Sequence, residues 1–114
     1  MRLDGQAFGV PRAAVISALH AEGIPCSAGY GYSLYHQPLF QNKAFGPYLH
    51  NVRDRLDYGQ VRCPNSDLIC REQAIWLGQS MFLGSRDDMD DIVRAFEKVH
   101  SSRHQLAAWS TQRA

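Results

Sequence analysis

The sequence predicts an α/β (α+β) domain, with a small sheet of three or four strands and helices packed on one of its faces. Three patterns carry that reading. In residues 10–23, Ala14, Val15, Ile16, Ala18 and Leu19 fall on one helical face. In residues 85–100, Met89, Ile92, Val93 and Phe96 recur at i, i+3, i+4 and i+7. Between them, residues 75–82 are rich in branched and aromatic side chains on both faces, as a buried strand would be.

The elements follow in order. Residues 2–9 read as the tail of a strand and a turn. Val10 and Pro11 open a helix, because proline at the first helical position gives up no hydrogen bond, and Gly23 ends it. Residues 24–30 are short, partly apolar and bounded by glycine, which predicts a strand; Pro25 restricts it to an edge or a strand start. Residues 31–63 lack a strong period and hold Tyr32, Tyr35, Phe40, Phe45 and Tyr48 among glycines and prolines. They are expected to form a long irregular loop with a short helix over 47–57. A helix is expected over 65–73 after Pro64, with Asn65 or Ser66 as its cap and Leu68 and Ile69 as its buried edge. Gly84 and Ser85 cap the last and strongest helix, with Asp87 and Asp88 in its first turn and Lys98 and Arg103 near its end. Residues 1–104 thus read as one domain, and 105–114 as a polar tail that frays.

Composition narrows the function classes. The 114 residues are 45% apolar and 20% charged, with a formal net charge of +1 and both signs interspersed. That is ordinary globular composition without the basic footprint of a nucleic-acid binder. Apolar runs are too short to span a membrane, and the first residues lack a secretory core. Cys26, Cys63 and Cys70 are odd in number and irregularly spaced, which fits reduced thiols and a cytoplasmic location. His20, His36, His50, His100 and His104 make no metal-ligand spacing with them; His100 and His104, four apart, read as a helix face that complements the dipole.

The strongest site candidate is the 30–40 segment. Tyr30, Tyr32 and Tyr35 offer phenols, His36 offers an imidazole, and Gly29 and Gly31 would let backbone approach a ligand closely. A tyrosine- and proline-rich loop can equally pack on its own scaffold. Gln79 and Ser80 read as water-facing. Arg53, Arg55 and Arg62 could meet a phosphate, although the neighbouring Asp54 and Asp57 suggest a solvated face of mixed charge. The pair Asp87 and Asp88 is explained by its helix N-terminal position, and Cys26 with His36 makes no protease signature. A nucleophile elbow and a phosphate-cradling glycine loop are both missing.

Four motifs, in order, run through the chain: Gly23-Ile24-Pro25-Cys26-Ser27-Ala28-Gly29-Tyr30, Leu34-Tyr35-His36-Gln37-Pro38-Leu39-Phe40, Ile75-Trp76-Leu77-Gly78-Gln79-Ser80 and Ser85-Arg86-Asp87-Asp88-Met89-Asp90-Asp91-Ile92. Together they resemble the C-terminal small domain of the DegT/DnrJ/StrS-type sugar aminotransferases, and the wording Gly29-Tyr30-Gly31-Tyr32 with Tyr35-His36-Gln37-Pro38-Leu39-Phe40 comes nearest to members acting on aminocyclitols or amino sugars. The resemblance implies the small-domain fold of fold-type I aminotransferases that use pyridoxal phosphate (PLP), and a substrate pocket to which Tyr30, Tyr32 and His36 contribute. In that family PLP is held as a Schiff base on a lysine of a large domain earlier in the chain. The two lysines here, Lys43 and Lys98, have no matching context. The resemblance therefore implies no catalytic or cofactor residue in this chain and no transamination by it alone. It implies instead a missing large domain and a homo-oligomer. The family commonly has proline where Gly78 stands, so a slightly different strand geometry is expected there. The alternative is an autonomous binding or oligomerisation module that reuses the fold.

Overall fold

A computed structural model describes residues 1–51 and 53–112. In chain order the elements are helix α1 (Gly5–Phe8), helix α2 (Arg12–Ala21), strand β1 (Cys26–Ser27), helix α3 (Pro38–Gln41), helix α4 (Pro64–Leu68), strand β2 (Trp76–Leu77), helix α5 (Arg86–Ser101) and helix α6 (Arg103–Thr111). Single 3₁₀ turns lie at Leu34–His36, Gly46–Asn51, Arg53–Arg55 and Gln79–Leu83, and α4 continues as a π-helical turn, Ile69–Gln73. Mixed helix and antiparallel sheet make this an α+β fold. It divides into two units, residues 1–29 with 72–114, and residues 30–71.

The first unit is built on helix α2. Pro11 sets its start, and Ala14, Val15 and Leu19 on its inner face are buried. Gly23, at φ 81°, turns the chain out of the helix. Helices α5 and α6 both pack on α2. The core gathers Leu3, Val10, Leu19, Ile24, Ile75 and Val99, with Leu19 and Ile75 fully buried. Ahead of α2, the Asp4 carboxylate accepts the Gln6 and Ala7 N–H groups at 3.1 Å and caps α1, where a turn was expected.

The sheet is smaller than the sequence suggests. β1 and β2 pair antiparallel, Cys26 opposite Leu77 and Ser27 opposite Trp76. The expected first strand is reduced to a single bridge between Arg2 and Ala74. It is held by Leu3 N–H to the Gln73 carbonyl at 2.8 Å and Ile75 N–H to the Met1 carbonyl at 3.0 Å. The expected strand over 75–82 stops at Leu77, because the Met81 N–H bonds the Gly78 carbonyl at 3.1 Å and curls the chain into a 3₁₀ turn. β1 stops as early. Gly29 adopts φ 69°, and a Cβ placed on it would lie 2.4 Å from the Trp76 indole nitrogen. The close approach expected at Gly29 is therefore filled by the protein's own Trp76. The Arg12 guanidinium donates to the Ala74 carbonyl at 3.2 Å and weakly to the Ala28 carbonyl at 3.5 Å, tying the start of α2 to both strands.

Helix α5 starts with a capping box. The Ser85 hydroxyl accepts the Asp88 N–H, and the Asp88 carboxylate accepts the Ser85 N–H at 2.7 Å. The Ser85 hydroxyl, which donates to the Asp88 carboxylate at 2.7 Å, and the Ser85 N–H hold that carboxyl below its ordinary range. The inner face of α5 is Ile92, Ala95, Phe96 and Val99, while Val93 is 53% exposed. The expected stripe thus rotates toward Ala95, whose small side chain lets helices approach closely and which a count of large apolar residues overlooks. The Lys98 ammonium reaches Glu22 at 2.8 Å, an exposed pair of small energetic weight. His100 and His104 lie on separate helices, since α5 ends at Ser101, and the His100 ring packs on Phe8 with centroids 5.7 Å apart. Residues 105–111, expected to fray, continue helix α6, whose Leu106 and Ala107 pack against the core. Residues 113–114 of that tail lie outside the described residues.

The second unit replaces the expected loop with short helical turns around aromatic rings. Phe40, Phe45 and Tyr58 meet edge to face with centroids 5.3 to 6.1 Å apart. The helix expected over 47–57 is present as two 3₁₀ turns, and Val52 lies outside the described residues. The helix expected over 65–73 is α4 with its π turn. Its cap is Cys63, with no side-chain cap bond, rather than Asn65 or Ser66, because Pro64 already occupies the first helical position. Leu68 and Ile69, expected as its buried edge, are only half-buried.

Two substitution pairs test this architecture. Val99→Ala should destabilise by about 2 kcal/mol, while Val93→Ala should change stability by less than about 0.5 kcal/mol. Both gain the same helix propensity, so the difference in denaturant midpoints reports burial; equal effects would refute the assigned face. Gly29→Ala should cost about 1–3 kcal/mol through its left-handed backbone and the Trp76 contact, whereas Gly31→Ala, with open space around its Cβ position, should cost much less.

Candidate functional site

Within residues 30–71, four side chains from two distant segments converge. Ser33, extended at φ −61° and ψ 155°, opens the 3₁₀ turn Leu34–His36. The tight turn points Tyr35 inward, 8% exposed, and Leu34 outward, 67% exposed. From the other direction, Pro64 starts α4 and places Asp67 in its first turn, with the Asp67 N–H donating to the Cys63 carbonyl at 3.0 Å. The Asp67 carboxylate receives the Ser33 hydroxyl on Oδ1 and the Tyr35 phenol on Oδ2, the latter at 2.6 Å. Ser33 is 1% exposed. The Cys63 N–H reaches the Tyr35 oxygen at 3.4 Å, and Gln41 donates its amide to the Tyr35 carbonyl, so the tyrosine is held at both ends.

His36 completes the cluster. Its ring lies on the Tyr35 ring with centroids 4.1 Å apart and planes 35° apart, and its Nε2 stands 3.6 Å from Asp67 Oδ1. That separation exceeds a hydrogen bond, so the coupling is electrostatic. The bonds from Ser33 and Tyr35, helped by the nearby His36 and Arg71, hold the Asp67 carboxyl below its usual range. In turn the bond to Asp67, with burial, pushes the Tyr35 phenol above its usual value. The result is a fixed carboxylate beside a half-exposed imidazole, with hydroxyls locked around it. Such a group can exchange hydrogen bonds with a polar ligand at the imidazole.

Of the residues singled out in the sequence, Tyr35 and His36 belong to this cluster. Tyr30 and Tyr32 lie just before it, 62% and 47% exposed. Among the described residues no hydrogen bond or ring contact joins Tyr32 to the cluster. Tyr35 is a structural phenol with its donor committed to Asp67. Asp67 and Ser33 were not legible: Asp67 reads as an ordinary helix-start acid, and 34 residues separate the two. Gln79 and Ser80 are exposed, as expected. Arg62 donates to the carbonyls of Gly59 and Val61, at 2.6 and 2.8 Å, instead of waiting for a phosphate.

Neither lysine fits a PLP aldehyde. A Schiff-base lysine needs a desolvated amine. The Lys98 ammonium is exposed and paired with Glu22, and Lys43 donates to the Arg53 carbonyl at 3.1 Å from an exposed turn. Among the described residues no cluster of three or more histidine, cysteine or acidic side chains could hold a metal, and no helix is long and apolar enough to cross a membrane.

The Asp67 network sets a pH dependence. The folded carboxyl titrates below its unfolded value of about 3.9, so its stabilisation is complete above that pH and is lost as pH falls through the folded value. Asp67→Asn should therefore show a smaller loss of stability between about pH 6 and pH 2 than the wild-type chain. Asp88, also depressed, contributes in the same window and stays present in both proteins. Denaturant melts at the two pH values check this, and an unchanged loss in the variant would contradict the network.

Comparison with known proteins adds one relation. Over 109 residues, 92% of the chain, the sequence is 28% identical to a Streptomyces kanamyceticus protein provisionally named L-glutamine:3-amino-2,3-dideoxy-scyllo-inosose aminotransferase. The chain spans about a quarter, 26%, of that relative's length. No family profile and no solved structure matches the chain. The sequence is thus distantly similar to part of an aminocyclitol aminotransferase.

Proposed function

We propose that this chain is the substrate-side, C-terminal small domain of a PLP-dependent sugar or aminocyclitol aminotransferase of the DegT/DnrJ/StrS type. Tyr30, Tyr32 and His36 contribute to the cyclitol pocket. The observation that carries the reading is the similarity itself, which runs through 92% of this chain and only 26% of the relative, as a shared domain would. The order of the four sequence motifs is in keeping with it. So is Gly78, whose φ of −68° and ψ of 137° suit proline, the residue common there in the resembled family. The geometry difference expected at Gly78 is not required.

On this reading the chemistry on the amino group belongs to a large domain that supplies PLP and its lysine, and Lys43 and Lys98 take no part. The small domain binds and orients the ring. Exposed Leu34 and Leu39, at 67% and 50%, favour a surface that meets another domain or a second copy. A second reading, an autonomous binding or oligomerisation module, is favoured by the aromatic cluster of Phe40, Phe45 and Tyr58, which gives residues 30–71 a core of their own.

Titration with 3-amino-2,3-dideoxy-scyllo-inosose, followed by NMR, tests the first reading. Shifts should concentrate at Tyr30, Tyr32 and His36, and Tyr32→Ala should weaken binding by about tenfold. Shifts confined to other surfaces would refute the site. Incubation with PLP and borohydride should leave both lysines unmodified at stoichiometric cofactor; specific reduction onto Lys43 or Lys98 would overturn the division of labour.

A further inference from the structure

We propose that Asp67 is the positioning residue for His36: it fixes the imidazole with Nε2–H toward the carboxylate, leaving Nδ1 as an acceptor for a hydroxyl or ammonium donor of the bound ring. The inference rests on the proposed aminocyclitol pocket for its ligand, and on the geometry alone for the positioning. The carboxylate cannot rotate freely, because each oxygen is engaged by a different hydroxyl, Ser33 on Oδ1 and Tyr35 on Oδ2. The imidazole cannot tilt freely either, because its face lies on the Tyr35 ring. Tyr35 thus serves both partners, orienting the acid through its oxygen and the base through its ring.

With Nε2 at 3.6 Å from Oδ1, the field of the carboxylate favours the tautomer that points a positive N–H edge at it. The other ring nitrogen then carries the lone pair. Among the described residues no hydrogen bond engages Nδ1, and the His36 side chain is 49% exposed, so that lone pair is available to a ligand. Closing the ring contact on ligand binding would shorten the Asp67–His36 separation, as commonly happens when a site fills. The ligand class follows. A ring with hydroxyl and amine donors suits a fixed acceptor beside a carboxylate.

Long-range proton–nitrogen NMR of the labelled full chain, at about pH 9 where imidazoles are neutral, reads the tautomer without any ligand. The wild-type chain should show His36 as the Nε2–H form, and Asp67→Asn should give a mixture. Tyr35→Phe keeps the ring stack and removes the phenol, and should give an intermediate ratio; it also serves if Asp67→Asn folds poorly. An Nδ1–H form in the wild-type chain, or a ratio unaffected by both substitutions, would overturn the proposal. In a second arm, 3-amino-2,3-dideoxy-scyllo-inosose should bind Asp67→Asn about tenfold more weakly than wild type, the effect of losing one well-placed hydrogen bond. Equal binding to both proteins would overturn the ligand part. Absence of binding to the wild-type chain, with the tautomer result intact, would remove the aminocyclitol reading and leave the positioning standing.

Discussion

Ile75 has no exposed surface, and its backbone is as constrained as its side chain. Its N–H and carbonyl both bond the backbone of Met1, at 3.0 and 2.8 Å, while the next two residues pair with Ser27 and Cys26. The short segment 73–77 therefore receives the start of the chain on one side and β1 on the other. Arg12 adds a charged donor to the Ala74 carbonyl, which orients helix α2 across the same segment. Helices α5 and α6 then close over α2. With so few strand residues, the sheet is less a surface for helices to cover than a clasp that registers three separate segments.

The second unit depends on a different kind of constraint. Its centre is a carboxylate whose two oxygens are each met by a neutral hydroxyl, with His36 and Arg71 nearby. A buried or half-buried charge is costly unless its lone pairs are met, and hydroxyl donors meet them at fixed angles. The arrangement keeps Asp67 ionised beside His36 and Arg71.

The chain is distantly similar to part of an aminocyclitol aminotransferase, and separately its residues 33–36 and Asp67 form a fixed polar cluster. The lysines are placed for surface contacts, Lys98 to Glu22 and Lys43 to a main-chain carbonyl.

The sequence by itself determined the local features whose physics is short in range. The start and stop of α2 at Pro11 and Gly23, the buried stripe of Ala14, Val15 and Leu19, the Ser85 cap and the acid-rich first turn of α5 all follow from residues within a few positions of one another. Tertiary structure decided what depends on residues far apart in the chain. Strand length was set by where partners end, at Gly29 against Trp76 and at the turn after Gly78, so the apolar run over 75–82 overstated it. The burial of Ala95 over Val93 was set by how closely α5 approaches its neighbours. The bond from Ser33 to Asp67 joins positions 34 apart, with no periodicity or propensity to announce it, because a hydrogen bond between side chains depends on their meeting in space and not on their spacing in sequence.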